Sequence, residues 1–537
     1  METSEENVIE LERGYHLKPK VQSTGKEDAE LWLDPENGTV YLFEWKPYLL
    51  IGDREFILRL FDKKIKATKI TPEIYMAEFQ FENYVGKSFI EIYENGQRTL
   101  KKPIEVLSTK VREIMKRKGQ NIVDAHKKFY NALFEDILRV SSSLPFSLSA
   151  PTAFAAGEGE EPVNELFAYH YLRSNKERIK EAFKTVIKNA KRKLIIEEEW
   201  IEPYELDEIT PDTIVSMIQN PQYLAPAGEG VSVAQHLNGF APTKVFAFRK
   251  YENFDTPENR FAKYFLDMLI VWAERVIESF RETKGTNMNS ILELYGELEF
   301  LRADPIWEEV GEMTVFPYTS QTLLKGDGYR DLLELYREFT AYVPFFERLW
   351  TAIENKDIAT LYEYWAFFRL VKELSTILGE PRFHIGVDVS GILSEGLNSY
   401  VSFGKAWRLY YNRKFRSKSY SVPVKPDFAL LKNKKIVGVF DAKFKVEIPP
   451  IEEFADMDKD MERTPDLQTW AKIEDIYKMH TYRDALKCRF AIAIYLGTQT
   501  KFFDVNNGKI ENISLDEILT GQIAGVGYLS FVPEVKK

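Results

Sequence analysis

The chain of 537 residues contains a single cysteine, Cys488. This excludes an internal disulfide and any zinc site built on several cysteines. Histidine is nearly as scarce: 6 rings are scattered along the sequence, and a packed or solvent-facing ring is the ordinary expectation for each. Positive charge is in deficit, with 72 Lys and Arg against 83 Asp and Glu, a net charge of −11. The molecule as a whole therefore repels nucleic acid, and any polyanion contact must be a local basic patch. Long apolar runs are missing as well. The most apolar helical stretch, Phe265 to Ile277, carries Asp267, Glu274 and Arg275 and is too short to cross a bilayer. The opening METSEENVIELERG is acidic and polar, unlike a signal peptide. These absences predict a soluble, cytoplasmic protein without a membrane partner. Nucleotide-hydrolysing machinery is not expected either. The GKS at Gly86–Ser88 lacks the earlier glycine of a phosphate loop, since position 81 is Phe81, and strand-like FIEIY follows where a helix should open. It reads as a turn between strands. Neither HExxH nor a nucleophile elbow occurs, and the EGEE at Glu158–Glu161 reads as a solvated loop.

What is present is ample core material. Apolar residues make up 44% and aromatics 14%, and the length suggests roughly three or four domains. Residues 38–108 read as strands: TVYLFEW, EFILRLF, YMAEFQF and SFIEIYENG are rich in β-branched and aromatic residues, with turns between. From Lys110 the apolar spacing becomes helical. A small, Pro- and Gly-containing loop spans 141–162. Helical text resumes at Asn164 and runs, with breaks, to about Asn355, and Pro257 is placed to open a helix. Strand-like text follows Gly379 as far as Phe444. A polar insert, Glu447–Lys472, precedes a helix over Ile473–Lys487 and the strands RFAIAIYLG and TKFFDV. The expectation is an α+β multidomain protein: an N-terminal β-rich domain over 1–109, a mainly helical middle over 110–340, and a C-terminal α/β domain over 341–537.

The chemistry concentrates in KPDFALLKNKKIVGVFDAKFK, Lys425–Lys445. Two strand-like segments flank a polar corner. Val437, Val439, Asp441 and Lys443 would share one strand face, and Asp427, Ala429 and Leu431 another. A three-residue loop, Asn433–Lys435, would pair Lys432 with Ile436 and set Asp427 opposite Asp441, their Cβ atoms about 5 Å apart; an even loop would turn the aspartates to opposite faces. Two carboxylates that close repel unless a cation lies between them. Mg2+ suits such oxygen ligands, and the carbonyl of Ala442 offers another. Lys443, on the same side, would lower the pKa of an attacking water or steady charge on a phosphorane. The plainer alternative is a surface hairpin with an Asp–Lys pair. Against it, IVGVF before Asp441 is apolar on both faces, as in a central strand, where an acid without a task is out of place. Glu363 offers a third carboxylate, on an apolar helical stripe with Ala366, Phe367, Leu370 and Leu374. It is there either as a partner to a metal site or as a stripe-edge residue reaching solvent.

Upstream, Ser402–Lys425 has seven basic residues and no acidic one, with Trp407, Tyr410, Tyr411, Phe415 and Tyr420 interleaved. Arg408, Arg413, Lys414, Arg416 and Lys418 are the candidates for phosphate contacts, and the rings would stack on bases or pack inward. Downstream, Lys478 and Tyr482 are one helical turn apart and able to reach a phosphate together.

The order Glu363, Pro426-Asp427, Asp441-Ala442-Lys443, then a helix with a polar residue four before a tyrosine, resembles the PD-(D/E)xK nuclease superfamily. LYEYW, LYYNRKF, PDFAL, FDAKFK and DIYKMHTYRDAL resemble its McrC branch, the nuclease subunit of McrBC-type, modification-dependent restriction systems, best over about residues 340–500. NYVGKSFIEI and TPENRFAKYFL look like the region that precedes the nuclease in such proteins. The resemblance implies a C-terminal restriction-endonuclease-like fold. It implies Asp427, Asp441 and Glu363 as acidic site residues with Mg2+, Lys443 as the catalytic lysine, and Lys478 where many relatives have glutamine. It further implies a McrB-like AAA+ GTPase ring as partner, engaged and stimulated by the N-terminal part, and double-stranded, methylated DNA as substrate, with no nucleotide bound by this chain. A nuclease-shaped adaptor that does not cut, or a standalone repair or CRISPR-type nuclease, are the alternatives.

Overall fold

The computed structural model describes residues 8–20, 31–34, 37–61, 63–81, 84–108, 111, 122–143, 146–149, 161–228, 230–281, 283, 286–317, 320–341, 343–386, 399–416, 418–444, 467–497, 500–521 and 523–533. The chain divides into two compact units, one of Met1–Ser174, Val276–Met288 and Phe339–Lys537, the other of Asn175–Arg275 and Asn289–Glu338.

The first unit begins with two sheets. One has five strands in the order Ile9–Leu11, Tyr15–Pro19, Pro47–Gly52, Ile74–Gln80, Thr68–Thr71. The other has six, in the order Leu31–Leu33, Val40–Phe43, Gln97–Leu107, Gly86–Glu94, Ile57–Leu60, Lys63–Lys66. Their inner faces share one core that includes Tyr15, Leu17, Leu42, Tyr48, Leu50 and Ile92. The β structure thus starts well before residue 38. YHLKP hides its strand character behind His, Lys and Pro, yet Tyr15, Leu17 and Pro19 alternate inward. Gly86–Ser88 is not a turn but the start of the strand Gly86–Glu94.

This sheet is locked to the turn that precedes the helix Ile358–Leu378. Gly86 has φ +145°, and a Cβ there would come within 2.5 Å of the Asn355 carbonyl, so only glycine permits the approach. The Lys87 N–H donates to that carbonyl at 2.7 Å. Beside it the Lys356 ammonium pairs with the buried Glu105 carboxylate at 2.8 Å.

The helix Ile122–Ser143 packs on Ile358–Leu378, with Trp365 Nε1 donating to Asp136 at 3.1 Å. Residues 112–121, expected to begin this helix, lie outside the described residues. Within the expected loop 141–162, the helix runs to Ser143 and Phe146–Ser149 forms a strand parallel to Pro381–Gly386.

The middle is not purely helical. In the second unit Lys193–Ile201 pairs antiparallel with Val245–Asn253, and Leu224–Pro226 with Phe240–Pro242. IIEEEWI reads as helix because glutamate is a good helix former, while its ladder partner is remote in sequence and gives no local signal. Pro257 opens the helix Pro257–Phe280, as its position suggests.

The rest of the first unit is built on a ten-stranded sheet. Its order is Phe146–Ser149, Pro381–Gly386, Tyr400–Phe403, Trp407–Tyr411, Phe428–Lys432, Lys435–Lys443, Phe490–Tyr495, Gly525–Ser530, Lys501–Asp504, Gly508–Glu511. Lys435–Lys443, Phe490–Tyr495 and Gly525–Ser530 run parallel, the first crossover being made by the helix Leu467–Leu486. Most of the polar insert, residues 445–466, lies outside the described residues. The helix Ile358–Leu378 starts where Asp357 accepts the Thr360 N–H at 3.1 Å and stops at Gly379, φ +96°. It is buried nearly all round, with Phe367 against Phe428 (5.6 Å between ring centres) and Tyr364 against Tyr411 (5.1 Å). Leu467–Leu486 packs Met479, Tyr482 and Ala485 against Ala429, Val439, Ala491 and Ala493. The sheet is covered by helices on its two faces.

Lys356→Met leaves Glu105 charged and buried without its partner. It is expected to lower stability by about 3 kcal/mol in urea unfolding, and Glu105→Leu added to it to recover most of that loss.

Candidate functional site

The hairpin reaches the expected pairing by an unexpected route. Its loop has two residues, Asn433 (φ +48°) and Lys434 (φ +68°), the left-handed pair of a tight hairpin turn. Lys432 pairs with Lys435 and Leu431 with Ile436, but the next pair is Leu430 with Gly438. Val437 is an extra residue, a β-bulge, whose carbonyl accepts the Arg489 N–H at 2.9 Å. An even loop alone would have turned the aspartates apart; the bulge shifts the register once more. Ala429 then faces Val439 and Phe428 faces Phe440, which carries Asp427 opposite Asp441. The face shared with Val439 therefore includes Ile436, not Val437. Gly438 follows the bulge because a Cβ there would lie 2.1 Å from the Phe490 ring.

The Ala442 N–H donates to Asp427 Oδ2 at 2.8 Å, tying the first acid to the second strand. Asp441 is fully buried. Its Oδ2 is paired with the Lys443 ammonium and receives Lys478 Nζ at 3.3 Å. Its Oδ1 is buried and has no hydrogen-bond partner among the described residues. Burial first, then the Asp441 and Glu363 charges, push the Asp427 carboxyl well above the usual range, against Lys443 and the Ala442 N–H. For Lys478 burial works downward, but the Asp441 and Asp427 charges outweigh it and raise its pKa. The Tyr482 hydroxyl donates to the Lys425 carbonyl at 3.1 Å, and burial followed by the same two carboxylates raises its pKa. Tyr482 thus braces the backbone before Asp427, and Lys478 lies 5.3 Å from its ring centre.

Glu363 is half-buried on its helix and accepts Asn412 Nδ2 at 2.6 Å. It does not close a three-acid set: among the described residues no three His, Cys, Asp or Glu side chains stand close enough to hold a metal ion. Of the expected set, Asp427 and Asp441 face each other, Ala442 donates its N–H to Asp427, and Glu363 accepts the Asn412 amide with its charge acting on Asp427. The pair still fits a hard divalent cation. One acid keeps an unpartnered buried oxygen, and burial first, then its neighbours' charge, raises the pKa of the other.

In the basic segment Arg408, Lys414, Arg416 and Lys418 are exposed. Arg408 lies 5.2 Å from the Tyr400 ring centre, and half-buried Arg413 lies 4.2 Å from that of Tyr410. Lys418 donates to the Lys434 carbonyl at 2.6 Å. Of the rings expected to stack or pack, Tyr410, Tyr411 and Phe415 are core and Tyr420 is 57% exposed. Sequence reasoning passed over Asn412, although an Asn ending a strand is itself a hint of a left-handed turn. It also passed over Arg348, whose pKa is raised against burial by Tyr411, Tyr364, Glu363 and Asp427; no local pattern marks it.

Residues 360–496 match the model of the PD-(D/E)XK nuclease superfamily, and residues 76–336 that of a domain of unknown function, DUF2357. No curated protein matches the chain. A solved structure described as a refined half-complex from the tetradecameric assembly of Thermococcus gammatolerans McrB AAA+ hexamers with bound McrC matches at 14% identity. The match covers 87% of this chain and 81% of that one, with a TM-score of 0.24.

An aspartate whose folded-state pKa is raised stabilises the fold below its unfolded pKa, and that contribution is lost as pH rises through the folded value. Asp427→Asn is therefore expected to melt higher than the parent at pH 7 in EDTA. The gap should vanish near pH 4, as read by circular dichroism.

Proposed function

We propose that this chain, whose residues 360–496 belong to the PD-(D/E)XK nuclease superfamily, is the DNA-cutting subunit of a McrBC-like restriction complex. In this reading it hydrolyses DNA phosphodiesters with Mg2+ in the cytoplasm. The observation that carries this is the facing pair Asp427 and Asp441, with Lys443 on the same carboxylate and one oxygen of Asp441 unpartnered. Asp427 and Asp441 would hold the cation. Once bound, Mg2+ supplies Lewis-acid polarisation of the phosphate and of the attacking water. Lys443 balances charge developing on the phosphate, and Lys478 adds a second ammonium at the same place. Glu363, outside that pair, adds negative charge from the helix side. Arg408, Arg413, Lys414, Arg416 and Lys418 neutralise backbone phosphates and orient the duplex.

The McrBC-like assignment rests on the motifs LYEYW, LYYNRKF, PDFAL and FDAKFK and on their order. In that reading the β domain, 1–109, engages and stimulates a McrB-like AAA+ GTPase ring. The mainly helical middle, 110–340, lies between it and the nuclease domain, 341–537, in sequence, and the ring selects methylated DNA.

With Mg2+, GTP, the ring and methylated duplex DNA, Asp441→Ala is expected to abolish cleavage while leaving assembly intact by gel filtration. Lys443→Ala should slow cleavage by about 10²–10³-fold. An unmutated chain that never cuts with its partner would be an adaptor; one that cuts without it would be a standalone nuclease.

A further inference from the structure

We infer that Asn412 is a positioning residue that fixes Glu363 relative to Asp427, an inference that rests on the nuclease reading of this site. Asn412 directly follows the strand Trp407–Tyr411 and has φ +50°. Among residues with a side chain, asparagine tolerates this left-handed conformation best. The turn aims both of its donors at the site. The backbone N–H donates to the Asp427 carbonyl at 2.6 Å, and the side-chain Nδ2 donates to Glu363 Oε1 at 2.6 Å. One residue thus clamps the main chain of the first aspartate and the carboxylate of the helix.

The chemistry of the donor matters. Glu363 is half-buried, and its Oε1 takes the Asn412 amide hydrogen. An amide orients that carboxylate without neutralising it. An ammonium in the same place would cancel the charge a divalent cation needs, and an aspartate would have no hydrogen to give. The positioning is two-sided: Asp427 is held from the hairpin by the Ala442 N–H at 2.8 Å and from the neighbouring strand by Asn412.

Asn412→Gly separates backbone from amide, since glycine keeps the positive φ and loses only the side chain. The full-length chain would be titrated with Mn2+ by calorimetry and, with its partner, assayed for single-turnover DNA cleavage. Asn412→Gly is expected to weaken Mn2+ binding or slow cleavage by about 10–100-fold, as loss of a group orienting a ligand does. Its melting temperature should be close to that of the parent. If Asn412 acts through Glu363, the same change in a Glu363→Gln background adds less than about twofold, because residues in one network are not additive. Parent-like behaviour of Asn412→Gly, or a cost that multiplies fully with Glu363→Gln, overturns the inference alone. A parent chain that neither binds Mn2+ nor cuts DNA overturns the nuclease reading and this inference with it.

Discussion

Two carboxylates held face to face in a covered sheet are an electrostatic liability, and the surrounding architecture is arranged to sustain it. Asp441 is fully buried, and Asp427, directly before the neighbouring strand Phe428–Lys432, stands across from it. Left to themselves the acids would push the strands apart or take up a proton. Two ammonium groups on one oxygen of Asp441 and a backbone N–H on Asp427 contain part of that charge. The rest, expressed as the raised pKa of Asp427 and the partnerless oxygen of Asp441, is what a divalent cation would relieve.

The helices serve the same constraint from opposite sides. Ile358–Leu378 brings Glu363 on a body of aromatic side chains wedged against Phe428, Phe383 and Tyr411. Leu467–Leu486 brings Lys478 over a floor of small residues, Ala429, Ala491 and Ala493, that let it lie close to the sheet. Large rings on one face and alanines on the other set how far each charged group stands from the aspartates.

Much of the site was legible in the sequence, but not the means by which it is built. The spacing of Asp427 and Asp441 and the apolar IVGVF between them were enough to expect facing acids. The spacing suggests a three-residue turn; the turn has two residues, and the bulge at Val437 restores the register. A bulge leaves no clear mark in a run of Ile, Val and Gly, though Gly438 beside it is the trace a reader could have used. The amphipathic helices were visible because their period is local. The strands Lys193–Ile201 and Phe146–Ser149 were not, since each owes its conformation to a partner distant along the chain. Likewise Glu363 stands out as an acid on an apolar stripe, while Asn412, which holds it, is marked only by the left-handed turn that an asparagine after a strand suggests.

The turn Ile353–Asp357 is gripped from several sides. The Tyr130 hydroxyl holds the Ile353 carbonyl, the Lys87 N–H holds that of Asn355, and Lys356 is anchored on Glu105. The last residue of this turn caps the helix that carries Glu363. The N-terminal sheet and the helix that carries Glu363 therefore meet at one turn, like two arms of a crank on one shaft. A displacement of the strand Gln97–Leu107 would be delivered to the cap of that helix rather than absorbed on the way.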